Sequence, residues 1–85
     1  MRDFEIHITI RPEYKDRVDS LATELGYKTS LIDEDEVMGR DKLCYITFHT
    51  SSYKLAKERL ESVIESIGVP VLRKKIEHIL YDAKV

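Results

Sequence analysis

Along the chain, apolar residues alternate with polar ones, then recur at helical spacing, then alternate again. Phe4, Ile6, Ile8 and Ile10 take every second position of residues 3 to 10, the period of a half-buried strand. Arg11-Pro12 ends this run, and Pro12 suits a first helical turn, where its missing N–H is not needed. Tyr14, Val18, Leu21, Ala22 and Leu25 then follow helical spacing up to Gly26, a natural stop. Residues 27 to 32 carry a weaker alternation, read as a second strand, and residues 33 to 41 an acidic loop. In residues 43 to 50 the third strand turns Cys44, Ile46 and Phe48 inward. Ser51 or Ser52 caps a second helix with the stripe Ala56, Leu60, Val63, Ile64 and Ile67, stopped by Gly68.

Residues 69 to 81 are read as a fourth strand. Leu72, Ile76, Ile79 and Leu80 also fit a helix, but Val69-Pro70-Val71 opens the segment and no helix cap precedes it. The strand puts Lys74 and His78 on the same face as Leu72, Ile76 and Leu80. An edge strand tolerates this if Lys74 snorkels outward or a bulge resets the alternation. The predicted order is βαββαβ, an α+β chain of the ferredoxin-like plan: a two-layer sandwich with an antiparallel sheet in the order 4-1-3-2 and both helices on one face. Residues 1–85 form one such domain. An offset of 42 residues carries the first helical stripe onto the second, Gly26 onto Gly68, and His7 onto His49. The fold's pseudo-twofold symmetry is sufficient reason for this match.

Composition narrows the partners. The chain has 85 residues, 35% charged and 42% hydrophobic, with a net charge of -2. The sequence pI near 5.9 disfavours nucleic acid, which selects basic surfaces. The single cysteine, Cys44, forms no internal disulfide, and no apolar run approaches membrane-span length. The charged start Met1-Arg2-Asp3 runs straight into a strand pattern rather than a signal peptide, so the cytoplasm is the expected location.

The sheet face away from the helices gathers the candidate chemistry. Alternation turns Glu5, His7 and Thr9 outward from the first strand, Leu43, Tyr45, Thr47 and His49 from the third, and Arg73, Lys75, Glu77, Ile79 and Tyr81 from the fourth. A polar outer face is what a one-sided sheet needs, with Arg73 and Lys75 as ion-pair partners of Glu5. Two histidines, two cations and a tyrosine also suit an anion, above all a phosphate. The expected role is a module that binds a small anionic ligand here, or that forms a homodimer through Leu43, Tyr45, Ile79 and Tyr81. No cofactor or metal is predicted. Asp33-Glu34-Asp35-Glu36 lacks the EF-hand spacing, and a metal on His7 and His49 would want a third ligand, with Glu5 the near carboxylate.

Two resemblances attach to the same residues. Glu5-Ile6-His7-Ile8-Thr9 and Arg73-Lys74-Lys75-Ile76-Glu77 are similar to the first and last strands, Glu-Ile-His-x-Thr and Arg-x-Lys-Ile-Glu, of a set of small uncharacterised α/β proteins. This implies that both strands contribute to one surface. His7-Ile8-Thr9-Ile10 also resembles the His-apolar-Thr-apolar motif of the two-histidine phosphoesterases, with His49-Thr50-Ser51 as a His-x-Ser counterpart. That resemblance implies general acid and base roles for His7 and His49, with Thr9 and Ser51 holding a phosphate. Those enzymes are longer, and their motifs lie farther apart.

Overall fold

A computed structural model of the chain describes residues 3–32 and 42–79. The acidic segment 33 to 41, Leu80 and Tyr81 lie outside them. Strand β1 (Phe4–Ile10) is followed by a 3-10 turn (Pro12–Tyr14), helix α1 (Lys15–Leu25) and strand β2 (Lys28–Ile32). Strand β3 (Leu43–Thr50), helix α2 (Tyr53–Ile67) and strand β4 (Arg73–His78) complete the order. The four strands form one sheet in the order β2-β3-β1-β4, every pair antiparallel. This is the expected 4-1-3-2 order, read from the other edge.

One face of the sheet builds the core. Ile6, Ile8 and Ile10 of β1 and Cys44, Ile46 and Phe48 of β3 point to it, and Ile6 lies opposite Phe48 and Ile76. Val18 of α1 and Ala56, Leu60, Val63 and Ile67 of α2 close over them, so both helices cover the same face. Each fully buried aliphatic side chain contributes about 1.5–3 kcal/mol over an exposed one. Tyr27, expected in the second strand, lies just before β2 as a buried core residue whose hydroxyl donates to the Val18 carbonyl. Pro12 opens a 3-10 turn rather than the α-helix itself, which starts at Lys15.

The helix ends follow the sequence signals. Ser52 Oγ accepts from the Leu55 N–H at 3.1 Å, and Gly26 and Gly68 take left-handed φ values of 77° and 63° at the two C-termini. A reciprocal pair of contacts was not anticipated. Arg17 Nε donates to the Ile67 carbonyl at the end of α2 (2.7 Å), and Arg59 donates to the Leu25 carbonyl at the end of α1 (2.8 Å). Each helix thus places a cation on the other's negative end. The same 42-residue offset relates the two arginines and the two acceptors.

The fourth segment is a strand, shorter than the expected 69 to 81. Lys74 and His78 do face the helix side, as Ile8 and Phe4 opposite them show. No bulge is needed, because the register is continuous. Lys74 extends to within 4.0 Å of Glu61, and the His78 ring stacks on Phe4 with centroids 4.7 Å apart. Among the described residues no helix is long and apolar enough to cross a membrane.

Candidate functional site

The open face is built on β1 with a neighbour on each side. Glu5 lies between His49 of β3 and Glu77 of β4, His7 between Thr47 and Lys75, and Thr9 between Tyr45 and Arg73. All nine residues proposed for this surface therefore share it, in three rows. His7 faces Thr47 directly and His49 sits diagonally.

The rows differ in charge. At the Glu5 end, His7 Nε2 is 3.7 Å from Glu5 Oε1 and 3.5 Å from Glu77 Oε1. His49 Nε2 is 3.5 Å from the other Glu5 oxygen, Oε2. The Glu5 carboxylate thus stands between the two imidazoles. Lys75 Nζ is 3.4 Å from Glu77 Oε2. The ring of His7 is held from its other side, with Nδ1 3.3 Å from Thr47 Oγ1. Glu5 pairs with histidines rather than with Arg73 or Lys75, because the antiparallel register puts those cations opposite Thr9 and His7 and puts Glu77 opposite Glu5.

The Thr9 end is cationic. His7, Thr9, Tyr45, Arg73 and Lys75 line a cleft of about 60 Å³. Arg73 donates to the Tyr45 hydroxyl at 3.3 Å and makes no ion pair among the described residues. Thr9 is only 4% exposed, its carbonyl accepting from the Leu72 N–H at 2.8 Å.

Other expectations land differently. Leu43 shares this face with Tyr45 but is 1% exposed, so it adds no free apolar area for a homodimer. Ile79 lies one residue beyond β4, and Tyr81 is outside the described residues. Ser51 stands in an exposed bend after β3, next to the helix cap. Cys44 is buried on the helix side, and burial pushes its thiol up, which disfavours the reactive thiolate. A larger groove of about 440 Å³ opens where β3 runs past the start of β2, bordered by Tyr27, Lys28, Phe48 and His49. It gathers no comparable set of converging polar groups.

What the sequence reading missed is the juxtaposition of Glu5 with Glu77 across β1 and β4. Both were placed on the face, but only the register makes them opposite partners. No protein-family model matches the chain, and no curated protein matches it significantly.

Proposed function

We propose that this chain is a ferredoxin-like binding domain whose open sheet face takes a small anionic, phosphate-sized ligand in the cleft between Arg73 and Tyr45. The observation that carries the reading is the guanidinium of Arg73, without an acidic partner among the described residues and set beside a hydroxyl, a second cation and an imidazole. Arginine forms its strongest hydrogen bonds with oxyanions, and Lys75 adds charge at the mouth. At about 10–15 Å³ of such volume per water, the cleft holds roughly four to six water-sized atoms, the scale of one oxyanion. A face this charged, with Leu43 already buried, suits an ion better than a second copy of the chain.

Phosphoester chemistry by His7 and His49 is the second reading. The presence of both imidazoles on one face favours it. Glu5 weighs against it, because a phosphate touching both rings would meet a carboxylate between them.

A titration of the isotope-labelled chain with inorganic phosphate, followed by NMR, tests the first reading. Shifts should concentrate at His7, Tyr45, Arg73 and Lys75. Arg73→Ala should weaken binding about tenfold or more, the loss of a charge-assisted hydrogen bond. Shifts scattered over helix lysines, or equal affinity in Arg73→Ala, would overturn it. Hydrolysis of a phosphodiester that is lost in both His7→Ala and His49→Ala would move the assignment to the second reading.

A further inference from the structure

The anion reading uses the Thr9 end of the face and leaves the Glu5 end unexplained. There, two carboxylates are direct partners across β1 and β4. Like charges placed opposite one another destabilise a sheet unless a cation lies between them. Lys75 answers one oxygen of Glu77, while the other oxygen faces His7.

The distances point to what belongs in that gap. His7 Nε2 is 3.5 Å from Glu77 Oε1 and 3.7 Å from Glu5 Oε1. Both separations exceed the about 2.7–3.2 Å of an N–H···O hydrogen bond. They approach the spacing between neighbouring ligand atoms around a tetrahedral metal, roughly 3.3–3.6 Å for bonds of about 2.0–2.2 Å. One ligand atom from each of Glu5, His7 and Glu77 can be chosen so that all lie within 4.8 Å of one another.

The support for the imidazole is of the right kind. Nδ1 of His7 faces Thr47 Oγ1. When Nδ1–H donates to that hydroxyl, the Nε2 lone pair is left facing the two carboxylates. Metal-bound histidines are oriented in this way by a hydrogen bond on their second nitrogen. His49, on the far oxygen of Glu5, holds the carboxylate from behind.

We propose that Glu5, His7 and Glu77 form a binding site for a divalent transition-metal ion. One nitrogen and two carboxylate oxygens suit zinc or its neighbours rather than magnesium or calcium, which take all-oxygen sets. Two carboxylates neutralise the ion, and the side chains leave a coordination position open to solvent. The site is independent of Arg73, so it stands or falls separately from the anion cleft, although His7 borders both.

The test is calorimetric titration of the EDTA-dialysed full chain with Zn²⁺ at neutral pH, with histidine side-chain NMR on the same samples. The expected result is one Zn²⁺ per chain, with the His7 Nε2 resonance displaced. Glu77→Gln and His7→Ala should each weaken binding about tenfold or more, at least the effect of losing a supporting residue. Glu77 is exposed, so its variant keeps the fold should His7→Ala fail to. His78→Ala, on the helix side of the sheet, should leave Zn²⁺ affinity unchanged. Absence of stoichiometric binding, unchanged affinity in Glu77→Gln, or loss of binding in His78→Ala overturns the proposal.

Discussion

The two faces of β1 are one strand with two different jobs. Ile6, Ile8 and Ile10 are fully buried against both helices, while Glu5 and His7, interleaved with them, remain partly exposed. On the helix face the neighbours are interchangeable in kind, one aliphatic group packing on another, and close packing supplies the stability. On the open face identity matters, because each residue's role depends on the charge opposite it. The packed core and the candidate site of this chain are thus separated by a single residue step along one strand.

Substitutions on the two faces should therefore differ sharply. Ile8→Ala leaves a cavity at the centre of the core and should lower unfolding free energy by about 2–5 kcal/mol in a urea titration. A loss below 1 kcal/mol would mean that β1 is not the centre of the packing. Arg17→Ala and Arg59→Ala should each cost about 1–2 kcal/mol, the scale of a charged donor on a helix end. Because the two contacts are related by the internal repeat, unequal losses would show that their helix ends do not contribute alike. Ser52→Ala should cost about 1 kcal/mol through the lost N-cap.

Alkaline pH probes the buried face in a direction of its own. Burial pushes up both the Tyr27 phenol, ordinarily at 10.0, and the Cys44 thiol, ordinarily at 9.0. Each is held neutral in the fold, so its contribution is fully present below those values. It is lost as pH rises through the raised folded-state pKa. Unfolding free energy should therefore start to fall above about pH 9, and Tyr27→Phe should blunt the later part of that decline. A flat profile up to pH 11 would contradict the burial of both groups. The smallest effect belongs to the open face, where Glu77→Gln in metal-free protein should change stability by less than about 0.5 kcal/mol.

The helix stripes, both glycine stops and the residues of the open face could be read from periodicity alone. Lys74 and His78 looked like a cost of the β4 assignment. The edge position removes it, since one side chain reaches outward to Glu61 and the other stacks on Phe4. The reciprocal arginines carried a readable signal, because the offset that matches Gly26 to Gly68 also matches Arg17 to Arg59. Helical spacing searched among apolar residues passes over them. The burial of Leu43 and Thr9 carried no such signal, because alternation gives a face and not what covers it.

By itself the sequence determined which side of β1, β3 and β4 meets the helices, since period-two and helical spacing are local properties of the chain. It determined the membership of the open face for the same reason. The partners across that face were decided by tertiary structure alone. β4 follows α2 through the short segment 68–72, and no hairpin turn joins it to β1, so its register against β1 is left to packing rather than to a turn. That register sets Glu77 opposite Glu5 and Arg73 opposite Thr9. It thereby divides one polar strip into a carboxylate–imidazole cluster and a cationic cleft.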